Sequence, residues 1–93
     1  MASGTIPIPQ RIGYVDDTTA RTVSIGSHGY SEPIYPPNYF PSGAKILCIS
    51  AITWSTNVAL TFTVSGTNSN YGYVNGPSDT SVSGLKMRFW YVL

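Results

Sequence analysis

Few side chains in this chain of 93 residues are suited to acid–base or nucleophilic chemistry. The one histidine, His28, lies four residues before Glu32. Gly29 between them and Pro33 after them disfavour a helix that would bring the two side chains together. The pattern predicts a solvated loop histidine and no catalytic residue. A small hydrolase would require His28, Glu32 and Asp79 to converge in one cleft.

Metal and thiol chemistry is equally sparse. Cys48 is the one cysteine, so no internal disulfide forms, and its apolar neighbours predict a buried structural thiol. Asp16 and Asp17 are adjacent and are interpreted as a turn. Structural zinc needs about four Cys or His ligands, and neither an EF-hand spacing nor a phosphate-binding glycine loop occurs. We predict no cofactor and no metal, although a calcium site built from loop oxygens stays open.

The charge balance excludes several classes of partner. Charged residues make up 10% of the chain and the net charge is +1, without the basic stripe of a nucleic-acid binder. No apolar stretch approaches the length of a transmembrane helix, so no membrane insertion is expected. Residues 1–9 lack the pattern of a signal peptide. A complete chain of this kind is expected to stay inside the cell, or to leave by lysis or within a larger particle.

Alternating apolar residues between Pro-rich and Gly-rich turns predict an all-β fold. Residues 1–13 are expected to form an extended N-terminal arm, and residues 14–93 a single domain. We expect a small antiparallel β-sandwich or barrel of five to seven strands. A hairpin is predicted at Ser55-Thr56, and strands are predicted at 14–17, 20–26, 45–54, 57–65, 71–74 and 85–93.

Two predicted strands carry an apolar surface that needs a partner. The strand 45–54 is apolar on both alternating faces, which indicates cover on both sides. In the last strand, residues 85, 87, 89, 91 and 93 are expected to face inward. Arg88 and Trp90 share its outward face, either as a stacked cation–π pair or as an oligomer contact. The predicted self-assembly residues are Leu47, Ile49, Arg88 and Trp90.

The loops at 27–42 and 66–77 combine tyrosine with Asn, Ser and Gly. Rigid rings supply contact area and small polar groups supply hydrogen bonds, as in adaptable recognition surfaces. The same groups suit a sugar, whose CH face stacks on an aromatic ring. Alternatively, single rings cap the ends of the domain. The predicted ligand-binding residues are Tyr30, Tyr35, Asn38, Tyr39, Tyr71, Tyr73 and Asn75.

The proline-bounded segment Asn38-Tyr39-Phe40-Pro41 precedes the strand KILCISAITW, and the strand LKMRFWYVL runs to the last residue. In this arrangement the region 34–93 resembles the distal knobs of bacteriophage tail fibres and related virion appendages. The resemblance implies a trimeric β-sandwich that contacts host-surface glycans or proteins. Because the chain starts with its own Met, a separate virion protein such as a head decoration protein, or an excised domain, stays open.

We therefore expect a non-enzymatic virion structural or adhesion protein, assembled in the host cytoplasm. It would act as a symmetric oligomer, with a trimer favoured, and would contact a host receptor or other virion proteins. The alternative is a soluble lectin-like module of cellular origin, cytoplasmic or extracellular. That module would bind glycans through Tyr71, Tyr73 and Asn75.

Overall fold

A computed structural model describes residues 11–93 of the chain. This part is all-β and contains no helix, and therefore none that is long and apolar enough to cross a membrane. The predicted all-β class is confirmed. The predicted arm at 1–13 lies mainly outside the described residues, and its last two residues belong to the first strand. The strands are β1 (Ile12–Ile25), β2 (Lys45–Thr53), β3 (Thr61–Ser65), β4 (Tyr71–Asn75) and β5 (Thr80–Val92).

The strands form two open antiparallel sheets. One sheet has three strands in the order β1-β5-β2, and the other pairs β3 with β4. Strand β5 is central in the larger sheet, since it bonds to β1 along one edge and to β2 along the other. The last strand in the sequence thus pairs with strands far earlier in the chain, as where Ile12 of β1 lies opposite Val92 of β5.

The first strand corrects one sequence prediction. Residues 14–17 and 20–26 do not form two strands around a turn, because β1 runs continuously from Ile12 to Ile25. The pairing of β1 with β5 shifts register between Asp17 and Arg21 and again before Val23. Such β-bulges absorb extra residues without ending a strand. The turn-forming residues therefore lie within β1.

The predicted hairpin at Ser55-Thr56 is wrong. Strand β2 pairs with β5 and β3 pairs with β4, so the two segments that would form the hairpin belong to different sheets. The link bonds to β5 instead: the Ser55 amide donates to the Ser83 carbonyl at 2.9 Å, and the Ser83 amide donates to Thr56 Oγ1 at 3.1 Å. The segment 57–65 is strand only from Thr61 onward.

The core draws on both sheets. Strand β5 supplies the largest share, and Leu85, Met87 and Phe89 are fully buried as predicted. Val74 of β4 is equally buried and joins the same cluster. Leu93 is half exposed, because the strand ends one residue earlier. The remaining buried apolar residues are Val23, Ile25, Ile34, Ile46, Ile49 and Val82.

Strand β2 departs from simple alternation. A register shift between Ile46 and Cys48 places both Ile46 and Ile49 in the core. Leu47 and Cys48 between them are exposed. A one-residue bulge exchanges the two faces of a strand. The predicted burial of Cys48 is therefore wrong, and Ile49 belongs to the core and not to an assembly surface.

Gly72 of β4 lies where the two sheets approach each other closely. A Cβ atom there would lie 2.5 Å from Cδ1 of Ile49 and 2.7 Å from the carbonyl oxygen of Thr63. We expect Gly72→Ala to lower the free energy of unfolding by about 1–3 kcal/mol through overpacking. The control is Gly26→Ala, whose Cβ would meet the Tyr30 carbonyl oxygen at an ordinary 3.5 Å. Equal urea midpoints for the two variants would contradict this account.

Candidate functional site

Strand β4 presents two tyrosines and an asparagine on its outer side. Gly72 and Val74 are buried, whereas Tyr71, Tyr73 and Asn75 remain partly exposed. This alternation follows from the period-two geometry of a strand. Directly across the ladder lie small hydroxyl residues of β3, opposite Asn75, Tyr73 and Tyr71 in turn: Thr61, Thr63 and Ser65.

The segment 30–35 lies along the other edge of β4. The Ser31 amide donates to the Val74 carbonyl at 2.9 Å, and the Ile34 amide donates to the Gly72 carbonyl at 2.7 Å. Isolated bridges join Tyr30 to Asn75 and Ile34 to Gly72. Proline is tolerated at the edge of a sheet but not in a central strand, which explains how a Pro-rich segment takes this position.

These elements bring four tyrosine rings together. The ring centroids of Tyr30 and Tyr73 are 5.6 Å apart, those of Tyr73 and Tyr71 5.6 Å, and those of Tyr71 and Tyr35 5.5 Å. Two of the three contacts are edge-to-face, a favourable arrangement for aromatic rings. Tyr30 and Tyr35 are nevertheless about half exposed. We call Tyr30, Tyr35, Tyr71, Tyr73 and Asn75 the tyrosine face.

Two depressions flank the pair Tyr30 and Tyr73. The smaller, of about 320 Å³, also contacts Thr63 and Asn75, and there the Asn75 amide donates to Thr63 Oγ1 at 2.7 Å. The larger, of about 470 Å³, we call the Glu32 groove. Its polar and aromatic lining includes Ser24, Ser27, His28, Tyr30, Glu32 and Tyr73.

His28 extends the row of rings into the groove. Its ring stacks on Tyr30 at a centroid distance of 6.1 Å and an interplanar angle of 20°. His28 and Glu32 line the same groove, but Asp79 is not part of its lining. The backbone amide of Asp79 instead donates to the Gly26 carbonyl at 3.2 Å. The three-residue convergence that a hydrolase would require is thus not formed around this groove.

The tyrosines also affect one another's ionisation. The pKa of Tyr73 is raised, first by hydrogen bonding with the Tyr71 side chain, then by desolvation and by the phenols around it. Closely spaced phenols cannot all ionise, because their charges would repel. Tyr73 therefore holds its hydroxyl proton more strongly than an isolated tyrosine does.

An ion pair holds Tyr35 against β1. The buried carboxylate of Asp17 accepts from Arg21 Nε at 2.8 Å, and the terminal nitrogen Nη2 of Arg21 contacts the same oxygen. Arg21 Nη2 also donates to the Tyr35 carbonyl at 3.1 Å. The sequence indicated no role for Arg21 and predicted a turn at Asp17. Asp17 and Arg21 are four residues apart, a spacing that indicates an ion pair in a helix. It does not indicate one across a β-bulge.

Two predicted ligand-binding residues lie apart from the other five. The Tyr39 hydroxyl donates to the Asp16 carbonyl at 2.6 Å, which places this ring beside β1. Asn38 is exposed in the same turn as Tyr39. The structure therefore brings Tyr30, Tyr35 and the three β4 residues together, but joins neither Asn38 nor Tyr39 to them.

The outer side of the larger sheet carries a second cluster. The Arg88 guanidinium binds the Asp16 carboxylate through two bonds, Nε to Oδ1 at 2.6 Å and Nη2 to Oδ2 at 3.1 Å. Its central carbon lies 4.1 Å from the Tyr14 ring centroid and 5.6 Å from that of Trp90. The Trp90 indole donates to Ser50 Oγ at 3.3 Å. We call Tyr14, Asp16, Arg88 and Trp90 the arginine face.

The arginine face includes the cation–π contact between Arg88 and Trp90 that was one of two sequence interpretations. Register explains the cluster, because Asp16 lies opposite Arg88 and Tyr14 lies opposite Trp90. Leu47 on the neighbouring strand is about half exposed. Of the four predicted self-assembly residues, Leu47, Arg88 and Trp90 thus remain accessible, and Ile49 does not.

The ion pair on this face predicts a pH dependence. The pKa of Asp16 is lowered, chiefly by hydrogen bonding to Arg88. The pair therefore stabilises the fold fully above the unfolded carboxyl's pKa of about 3.9, and this contribution is lost as the pH falls below that value. We expect the urea midpoints of the wild type and Asp16→Asn to differ at about pH 6 and to converge toward about pH 2.5.

The matched control for this experiment is Asp79→Asn. Asp79 is exposed, and its backbone has a φ of 56°, in the left-handed region that Asn also tolerates. A midpoint difference between wild type and Asp16→Asn that does not change with pH would contradict the role of the ion pair.

Comparison with models of known protein families, with curated proteins and with solved structures finds no significant match to this chain. Its function therefore has to be argued from the two faces and the groove themselves.

Proposed function

We propose that this chain is a non-enzymatic structural or adhesion domain of a virion that binds a receptor through its tyrosine face. The observation that carries the proposal is the row of four contacting, partly exposed tyrosine rings, of which Tyr30 and Tyr73 also line two depressions. Clustered tyrosines offer large contact area at a small cost in conformational entropy. Their mutual contacts already fix the rings before a ligand arrives, which favours binding.

The same proposal gives the arginine face a role in self-assembly. Tyr14 is half exposed and packs beside Trp90 and Arg88, and aromatic residues and arginine are enriched at protein interfaces. Leu47 adds apolar surface nearby. We propose a symmetric oligomer, with a trimer favoured, in which the two sheets pack as a small sandwich and the tyrosine face points away from the subunit contact.

A lectin-like function is the second candidate, and one observation favours it. Beside the rings of Tyr30 and Tyr73, the smaller depression presents the linked polar groups of Asn75 and Thr63. A sugar places its CH face on an aromatic ring while its hydroxyls bind amides and hydroxyls. A monomer that binds simple sugars strongly would favour this alternative over the virion protein.

We expect Tyr71→Ala to weaken receptor binding by roughly tenfold or more, since buried aromatic anchors dominate binding energy. The measurement is binding of fluorescently labelled protein to a glycan array and, by flow cytometry, to a panel of intact bacterial cells. Tyr39→Ala is the control, because Tyr39 is exposed but lies outside the tyrosine face. Equal losses in both variants, or no loss in Tyr71→Ala, would count against this face. Melting curves establish that both variants are folded.

We expect Trp90→Ala to shift the native mass toward the monomer, because it removes the largest side chain of the arginine face. Light scattering at two protein concentrations measures the mass. Trp54→Ala is the matched control, since Trp54 is more than a third exposed and its indole donates within its own loop, to the Val58 carbonyl. An oligomer that survives Trp90→Ala would rule out this interface.

A further inference from the structure

The Glu32 groove has a chemical character that adhesion through tyrosines alone does not explain. Two of its walls are the rings of Tyr30 and Tyr73, whose planes meet at 70° with centroids 5.6 Å apart. The two rings therefore form a corner instead of a flat stacking platform. His28 stacks on Tyr30 and also lines the groove. Around the corner, the lining is completed by serine hydroxyls and one carboxylate.

Among residues 11–93, that carboxylate has no cationic partner within the groove. Glu32 is exposed and lines the groove, and no arginine or lysine does so. The ion pairs among residues 11–93 join Arg21 to Asp17 and Arg88 to Asp16, and neither includes Glu32. The groove thus places one carboxylate, that of Glu32, beside electron-rich rings, which complements a cation.

We propose that the Glu32 groove binds an alkylated ammonium group, such as the quaternary ammonium of choline. Aromatic rings attract cations through their negative faces, and quaternary ammonium ions are the ligands that clustered aromatic rings bind characteristically. Methylated ammonium is weakly hydrated, so it gives up little on leaving water. Glu32 supplies the long-range attraction, and Tyr30 and Tyr73 supply the contact. This inference rests on the proposed binding role of the tyrosine face and names a ligand class for one part of it.

The lining favours a soluble cation over a lipid head group. A phosphocholine head group carries a phosphate next to its ammonium, and that phosphate would approach Glu32. No arginine or lysine of the groove lining is present to receive it. Repulsion between like charges disfavours this arrangement. The occupant we commit to is therefore a small soluble ammonium compound without a phosphate.

The test compares choline with its neutral isostere 3,3-dimethyl-1-butanol, which has the same shape without the charge. Two-dimensional NMR titration of the full chain reports both the affinity and the residues that shift. We expect choline to bind at least roughly tenfold more tightly than the isostere, with shifts at Tyr30, Glu32 and Tyr73. Equal affinity for the two compounds would overturn the proposal, because it would show apolar contact alone.

Three variants separate the contributions. We expect Glu32→Gln, an exposed and nearly isosteric change, to weaken choline binding several-fold. Tyr73→Phe keeps the ring and is expected to keep binding, whereas Tyr73→Leu is expected to lose it. Choline affinity unchanged in Glu32→Gln and in Tyr73→Leu would overturn the proposal. Binding to phosphatidylcholine vesicles without binding to free choline would also overturn it, in favour of a membrane surface.

Failure of this proposal is distinguishable from failure of the proposed function. Tyr71 does not line the Glu32 groove, so loss of cell or glycan binding in Tyr71→Ala tests the tyrosine face independently. A chain that binds cells through Tyr71 but ignores choline retains its adhesive role and loses only this ligand.

Discussion

The antiparallel pairing of β5 with β1 and β2 is the constraint on which the rest of the structure depends. Phe89 lies opposite Val15 on one side and Ile49 on the other, and its side chain is fully buried. The pairing therefore sets the core and, on the opposite side of the same strand, sets which outward residues meet. Because side chains alternate along a strand, burying Met87 and Phe89 obliges Arg88 and Trp90 to face outward. The arginine face is in this sense a consequence of the core.

The tyrosine face depends on the hydrogen bonds that attach residues 30–35 to β4. The buried Ser31 hydroxyl accepts from the Val74 amide at 2.9 Å and donates to the Glu32 carbonyl at 2.8 Å. A buried amide left without a partner costs about 1–3 kcal/mol. Because the Ser31 hydroxyl pairs with the Val74 amide, a Pro-containing segment can lie beside β4 where a regular strand would otherwise be needed. Ile34 anchors the far end in the core. Tyr30 and Tyr35 are thereby carried to the two ends of the row of rings.

Sequence patterns predicted the features that follow from alternating burial along a strand. They missed the features that follow from β-bulges and non-local strand pairing. The all-β class, the strand at 71–74 and the inward side of β5 all follow from period-two burial, and the structure shows them. Three predictions were wrong: two separate strands in place of β1, a hairpin at Ser55-Thr56 and the burial of Cys48. Two of these errors lie at bulges, and the hairpin error arises because the link bonds to β5. Bulges and non-local partners leave little local trace. Composition indicated two separate tyrosine-rich loops as binding sites, but the contact of Tyr30 and Tyr35 with β4 and the groove with Glu32 needed three-dimensional pairing.

The arginine face and the groove beside the tyrosine face differ in whether their charged side chain has a partner of opposite charge. This difference favours different proposed roles for the two faces. On the arginine face, Arg88 is neutralised by Asp16 and covered by Tyr14, so the cluster can be buried against another subunit without leaving a charge unpaired. Beside the tyrosine face, Glu32 lines its groove without such a partner among the lining residues. Burying it against a neutral subunit would be costly, whereas a cationic ligand would be attracted. The balance of charge thus favours assembly through the larger sheet and ligand binding at the tyrosines.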